Sequence, residues 1–437
     1  MRRYLAIGIV LLLFGCIACT ASEEMNSGSP AIGRVLATGL ADPWEISWGP
    51  DNFLWITEKT GKRVIRVNPS DGSKSTVVTI GEVYTYDAEP GARVDRRARI
   101  ARYTYDPGAG TLSAPVDLIS GLPASSDHNA GRLLIGPDQK LYYSIGDQGN
   151  NQFERFCEPI RAQDLPSAEE VAGKNWRNYA GKILRLNLDG SIPGDNPVLA
   201  GVRSHVYSYG HRNPEGLVFG PGGRLFSAEH GPKSDDEINL IRAGKNYGWP
   251  AVLGFQDDQA YVYANWSAAT APPCTALRYD SYVIPPSVPQ QKETDWHAPN
   301  FMEPLKTLYT VPNGYNFQDP ECRDQSYICW PSIAPSSMDY LPAGNGGLAG
   351  WRNVLLVTSL KNGSVYVLRL TGDGGSVQGD VMQFFKTTNR YRDLVLRPDG
   401  RAVYVITDSS GIAGPQVGPP TVRLDNRGAI LVFETPR

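Results

Sequence analysis

The apolar positions of this chain fall in short runs separated by Gly, Pro, Asp and Asn, and no long stretch keeps a 3.6-residue period. Residues 53–57 (FLWIT), 141–145 (LYYSI), 182–187 (KILRLN), 354–358 (VLLVT) and 403–407 (VYVIT) are typical. Such runs predict many short strands. A repeat underlies them. Ile46-Ser47-Trp48-Gly49-Pro50-Asp51 precedes Leu54-Trp55-Ile56, and Leu133-Leu134-Ile135-Gly136-Pro137-Asp138 precedes Leu141-Tyr142-Tyr143. Leu217-Val218-Phe219-Gly220-Pro221 precedes Arg224-Leu225-Phe226, and Leu394-Val395-Leu396-Arg397-Pro398-Asp399 precedes Val403-Tyr404-Val405. Each copy reads strand, Pro-containing turn, strand, and closes near an acid: Glu58, Asp147, Glu229 or Asp408.

The turn prolines step by 87, 84 and 177 residues, so one degenerate copy is expected in the last interval. Residues 351–358 followed by 364–370 fit that slot. Hairpins recurring at this spacing predict an all-β chain with blades arranged radially around a channel. A β-sandwich pair is the competing architecture. In a propeller, loops distant in sequence meet at one mouth. The Pro- and aromatic-rich stretch 254–307 is expected to cap a rim.

Composition narrows the picture. The 437 residues include 46 Gly and 34 Pro, nearly a fifth of the chain, which favours turns and short strands over helices. A hydrophobic content of 41% is enough to build a core. The formal net charge of −3 gives no field that would attract nucleic acid.

Residues 1–22 read as an export signal: Arg2 and Arg3, an apolar run over 4–14, then small residues. That run is too short to span a bilayer comfortably. Leu13-Phe14-Gly15-Cys16 resembles a lipoprotein box with Cys16 as the lipidated residue, and Cys19 is a second candidate. The chain is therefore expected in the periplasm or cell envelope, with a lipid anchor as the one route to a membrane. Residues 31–437 are expected to form a single catalytic domain. Export allows disulfides. Cys322 and Cys329, seven apart, are the expected local bridge, while Cys157 and Cys274 are left either paired or free.

Several side chains suggest chemistry. Of the five histidines, His128 stands beside Asp127 and one hairpin ahead of Asp147, and a carboxylate beside an imidazole suits a general base. The acids of 234–237 (SDDE) follow Gly231-Pro232, a turn whose carbonyls could face a hard cation such as Ca²⁺. Arg212, Lys361, Arg390 and Arg392 stand beside strand ends and together could hold a small polyanion. No GxGxxG in a βαβ unit, GxxxxGK[ST], GxSxG or HExxH occurs, which argues against NAD, ATP, serine-hydrolase and zincin readings.

Eight ordered motifs resemble the soluble quinoprotein glucose dehydrogenases and the related aldose sugar dehydrogenases. They are 127–133 (DHNAGRL), 145–152 (IGDQGNNQ), 210–216 (GHRNPEG), 231–239 (GPKSDDEIN), 246–250 (NYGWP), 327–331 (YICWP), 359–363 (SLKNG) and 389–393 (NRYRD). The resemblance implies a six-bladed β-propeller that holds pyrroloquinoline quinone (PQQ) and Ca²⁺ and oxidises aldoses at C1 to lactones, passing electrons to an acceptor that the sequence does not name. It implies that His128 takes the sugar hydroxyl proton and that Asp147 orients it. Arg212 is implied to stabilise charge on the quinone oxygen, with Asn213 on the cofactor beside it. The carbonyls of Gly231 and Pro232 are implied as ligands of the catalytic Ca²⁺. Lys361, Arg390 and Arg392 are implied as carboxylate clamps with Ser332 nearby, and Tyr327 and Trp330 as covers over substrate and cofactor. Leu253, Phe255, Asp257 and Glu293 match a structural Ca²⁺ site near a homodimer interface.

Two departures accompany the match. His230 stands where the family has Gln before the Gly-Pro pair. Between Ile80 and Gly81 the family carries about thirty further residues, including one strand-turn copy and a sugar contact, so one early blade is expected to be incomplete. Two rival functions follow: a Ca²⁺-dependent propeller lactonase, for which the basic clamp has no purpose, and a non-catalytic binding propeller, suggested by the missing strands.

Overall fold

The computed structural model describes residues 33–80, 96–318, 326–344, 347–414 and 419–434. The export-signal region and the junction after Ile80 lie outside those residues. No described helix is long and apolar enough to cross a membrane.

Five antiparallel four-stranded sheets follow one another as blades of a β-propeller. Blade one is Pro43–Trp48, Leu54–Glu58, Arg63–Val67 and Lys74–Thr79. Blade two is Leu133–Ile135, Leu141–Ile145, Lys182–Leu186 and Val206–Tyr209. Blade three is Pro214–Phe219, Leu225–Glu229, Asp236–Ile241 and Lys306–Leu308. Blade four is Pro335–Leu341, Val354–Ser359, Val365–Leu370 and Val377–Phe384. Blade five is Tyr391–Leu396, Ala402–Thr407 and Ile430–Glu434, with the N-terminal strand Arg34–Ala37 as its outermost member.

The hairpins read from sequence are the first two strands of blades one, two, three and five. The copy assigned to the degenerate slot is displaced by one strand. Val354–Ser359 and Val365–Leu370 do pair, but they are the second and third strands of blade four, behind Pro335–Leu341. The Ser-rich first strand (PSSMDYL) was too polar for its apolar period to show.

Six blades were expected, and the described residues show five. Between blades one and two stands a two-stranded sheet, Arg97–Asp106 with Thr111–Pro123. Its alternate residues are exposed, unlike the fully buried Val354–Ser359 and Ala402–Thr407. A strand covered on both faces by neighbouring blades reads as a continuous apolar run, whereas one covered on a single face alternates. The core accordingly lies between successive sheets. Leu356, Val367, Val403 and Phe433 join blades four and five, and Ile46, Ile56, Tyr404 and Val432 join blades five and one. Ile100, Ile119 and Leu122 of the hairpin pack on Leu141, Ile145 and Leu184 of blade two.

One guanidinium ties the hub together. Arg132, just ahead of blade two, reaches Glu45 of blade one at 3.0 Å and Asp393 of blade five at 2.9 Å. It also donates to the carbonyls of Glu215 in blade three and Ser336 in blade four. The channel axis is thus occupied by a charge satisfied from every direction.

The stretch 254–307 carries short helical turns and a two-residue strand pair, and its end, Lys306–Leu308, returns to blade three as the outermost strand rather than staying loop. Trp266, Val288 and Cys274 pack with Phe156 and Tyr279. The Cys157–Cys274 disulfide joins this stretch to the loop of blade two, resolving the pair that the sequence left open. Cys329 is disulfide-bonded. Its expected partner, Cys322, lies outside the described residues.

Candidate active site

The loops that lead into the first strands of the blades and those that leave the second strands lie at the same end of the sheets and carry the candidate residues. His128 is held there in a left-handed conformation, φ 46°, which a non-Gly side chain adopts only when its surroundings demand it. Ser125 and Asn129 lace the loop by mutual hydrogen bonds, and Ser125 Oγ donates to the Gln148 carbonyl. Gly146 makes room: a Cβ there would lie 2.1 Å from the His128 carbonyl.

The result is a dyad. His128 Nδ1 lies 2.7 Å from Asp147 Oδ1. Asp147 is 1% exposed, and its other oxygen accepts the Trp249 indole N–H at 2.8 Å. Burial alone would raise this carboxyl, but the His128 ring, Arg212 and the Gly149 N–H together hold it below the ordinary carboxylate range. Fixing Nδ1 leaves Nε2 toward the mouth, 3.3 Å from Gln152 Nε2. Gln152 Oε1 accepts from Arg212 Nη2. Gln152 therefore joins the predicted base to the predicted cation. It sits at the end of the quoted IGDQGNNQ motif, but only the fold shows that it bridges two loops.

Arg212 and Asn213 are set by a buried carboxylate. Glu229 accepts both of their backbone N–H groups and faces His211 Nδ1 at 3.1 Å. His211 is fully buried, contacts Ser208 through Nε2 and stacks on Tyr247, so its role is structural. Asn213 Oδ1 accepts Ala130 N–H, which couples this loop to that of His128.

The Gly231–Pro232 turn is fixed by Asp236. That carboxylate accepts from Gly231 N, Ser332 Oγ and Ile333 N. A Cβ at Gly231 would strike the Ser234 carbonyl at 1.7 Å, so the turn requires glycine. Among the described residues the Gly231 and Pro232 carbonyls accept no hydrogen bond, leaving adjacent hard oxygen donors of the kind Ca²⁺ prefers. Ser332 is thereby placed against Asp236.

The basic residues are present but engaged. Arg390 and Arg392 share Asp408, and Arg392 also lies 3.5 Å from Glu215 and 4.1 Å from the Trp44 ring. Lys361 donates to the Trp330 carbonyl, and burial pushes its ammonium down to about 8. Tyr327 is 47% exposed on a short helical turn beside Trp330. Three nitrogens at this mouth, Arg212 Nε, His230 Nε2 and Trp330 Nε1, are buried without a partner. Such groups cost free energy unless something fills the space beside them. His230, the departure from the family pattern, is thus aimed into the site, and burial pushes it down to about 3.

The residues expected to hold a second cation lie near one another. Glu293, fully buried, accepts Leu253 N–H and Asp258 N–H at 2.8 Å each. Burial pushes it up to about 7, and Asp257 adds to the rise. The Phe255 carbonyl takes the Asp257 N–H at 2.9 Å.

Comparisons with known proteins give the family. The family model "Glucose / Sorbosone dehydrogenase" matches residues 78–271 and 307–413. Quinoprotein glucose dehydrogenase B of Acinetobacter calcoaceticus is 42% identical over 456 aligned positions, covering 97% of this chain and 95% of its own. That alignment is longer than the 437-residue chain, so the relative carries residues this chain lacks. The aldose sugar dehydrogenase YliI of Escherichia coli is 28% identical, covering 90% of this chain and 94% of its own. The PQQ-bound aldose sugar dehydrogenase of Streptomyces coelicolor superimposes with a TM-score of 0.60 at 22% identity, covering 93% of this chain and 99% of that one, which speaks for the fold. The chain belongs to the glucose/sorbosone dehydrogenase family of sugar dehydrogenases.

Proposed function

We propose that this protein oxidises aldoses such as glucose at C1 to the lactone, with PQQ and Ca²⁺ bound at the mouth and His128 as the base. The observation that carries the reading is the oriented dyad: a buried Asp147 fixing His128 Nδ1 at 2.7 Å, with Nε2 turned toward Gln152 and Arg212. The three partnerless nitrogens and the two open carbonyls of the Gly231–Pro232 turn fit a polyanionic cofactor and a hard cation. When bound, PQQ supplies the acceptor for the hydride lost from C1, and Ca²⁺ supplies Lewis acidity.

The chain's own residues do the rest. His128 Nε2 accepts the C1 hydroxyl proton, and Asp147 keeps the tautomer that leaves Nε2 free and stabilises the imidazolium. Arg212 and Asn213, clamped by Glu229, present a fixed cation and amide to developing oxygen charge. Lys361, Arg390 and Arg392 hold cofactor carboxylates, the arginines turning partly from Asp408, with Ser332 beside them. Tyr327 and Trp330 cover substrate and cofactor. Leu253, Phe255, Asp257 and Glu293 hold a structural Ca²⁺, and Cys322–Cys329 closes the loop below Tyr327. We read the two-stranded sheet Arg97–Pro123 as the outer half of a sixth blade whose inner strands do not occur among the described residues.

A lactonase would need Ca²⁺ caged by side-chain carboxylates, and no group of three or more His, Cys, Asp or Glu able to hold a metal occurs among the described residues. The test is reconstitution of the purified chain with PQQ and Ca²⁺, followed by reduction of an artificial acceptor in the presence of glucose and other aldoses. Turnover is expected, and absence of turnover with every aldose would overturn the reading in favour of a binding propeller.

A further inference from the structure

Beside the dyad lies a cavity of about 290 Å³ that the proposed chemistry does not fully use. It opens onto the reacting end: Gln152, which contacts His128 Nε2, and Trp249, which donates to Asp147, both line it. Aromatic side chains such as Tyr261, Tyr279 and Phe317 share its walls with polar ones such as Asn150, Ser234 and Asp280. Aromatic walls with polar groups among them characterise small-molecule sites, and this volume is at their lower end, sized for a single sugar ring.

Among the residues that line the cavity, Lys233 is the one cation. Its ammonium is ringed by Tyr282 at 5.0 Å, Phe317 at 5.3 Å and Trp330 at 5.9 Å. It donates one hydrogen bond, to the Ser281 carbonyl. No carboxylate of the described residues lies within ion-pair distance. Asp280, on the same wall, spends its oxygen on the N–H groups of Tyr282 and Val283 at 2.7 and 3.0 Å. An ammonium packed among aromatic rings, with N–H donors to spare and Asp280 acting on it only from beyond ion-pair distance, can take an anion, because a charge-assisted hydrogen bond gains strength where water is thinned.

We infer that Lys233 makes this cavity a carboxylate subsite, so that the favoured aldoses carry an acid at the end remote from C1, as uronic acids do. This rests on the dehydrogenase reading, because the carboxylate end is defined relative to a C1 placed at His128. The reaction at C1 is unchanged, and the carboxylate only binds. The same chemistry could come from a carboxylate of PQQ, and the experiment separates the two.

The reconstituted enzyme is assayed with glucose and with glucuronate at matched ionic strength, as wild type, Lys233→Met and Lys233→Arg. Thermal melts of the cofactor-free chain with each sugar are run alongside. The ratio of kcat/KM for glucuronate over glucose is expected to fall about ten- to a hundredfold in Lys233→Met, the worth of one hydrogen bond to a charged group, and to be retained in Lys233→Arg. Glucuronate should raise the melting temperature of the cofactor-free wild type and not that of Lys233→Met. An unchanged ratio overturns the inference. A weakened PQQ affinity with an unchanged ratio overturns it too, and gives Lys233 to the cofactor. If no aldose turns over but glucuronate still raises the melt in a Lys233-dependent way, the anion subsite stands and the dehydrogenase reading falls.

Discussion

His128 and Asp147 carry separate burdens, and substitution separates them. His128→Ala removes the proposed proton acceptor, and kcat of the reconstituted enzyme should fall by about 10²–10⁴, the usual worth of a positioned base. Asp147→Asn keeps the shape but no longer enforces the tautomer or stabilises the imidazolium. Steady-state kinetics should show a loss of about 10²-fold or more in kcat with a much smaller change in KM. A drop confined to KM would instead make Asp147 a binding residue. The sequence singles out both because a His beside acids in a hairpin context is a local signal, and the fold adds their 2.7 Å contact. Gln152, Trp249 and Glu229 were not identified in these roles. Each acts through a partner on another loop, at separations of 24, 102 and 17 residues, and no local pattern encodes such pairings.

At the scale of the strand and loop, the acid that closes each repeat explains itself. Glu58 takes the Ala41 N–H and pairs with Arg63, Asp147 orients His128, Glu229 clamps Arg212 and Asn213, and Asp408 pairs with Arg390 and Arg392. In four of the five described blades this position thus supplies a carboxylate, buried in Glu58, Asp147 and Glu229 and partly exposed in Asp408, given structural work in blade one and site-building work elsewhere; blade four has Ser359 at the end of the corresponding strand. The repeat showed the acids but not their partners. Asp339 shows what burial costs between blades: it accepts the Leu396 N–H of the next blade at 2.9 Å, and burial pushes it up to about 6. Its folded pKa exceeds the unfolded value, so the native state binds the extra proton, and stability is lost as pH rises from about 4 through 6. Denaturant melts of wild type against Asp339→Asn should show the wild type losing about 1–2 kcal/mol relative to the variant over that window. The Cys157–Cys274 bridge spans 117 residues and anchors the capping stretch. A Cys157→Ser/Cys274→Ser double variant should lose about 2–4 kcal/mol in the same assay.

For the molecule as a whole, Arg132 is the most exposed to failure. Arg132→Met leaves Glu45 and Asp393 facing each other at the hub without their cation, and breaking a buried pair in this way costs about 3–5 kcal/mol. Chemical unfolding should report that loss, and a change within experimental error would show the axis to be solvated. All-β class and radial blades were legible because hairpins recurred at fixed spacing. The sequence also placed the irregularity after Ile80, where the described residues give a two-stranded sheet between blades one and two.

The strand Arg34–Ala37 pairs with Ile430–Glu434, so strands from opposite ends of the described residues meet in one sheet. Every other blade is built from consecutive chain and can form as it is synthesised or translocated. The last one cannot, since its outer strand is made first and its inner strands last. Until then the early strand is an open edge able to pair with the wrong partner, including the same strand of another copy. Ring closure therefore acts as a proofreading step: a chain truncated near Ile430 keeps four complete blades yet has no latch, and such a product should be recognised as unfinished and degraded.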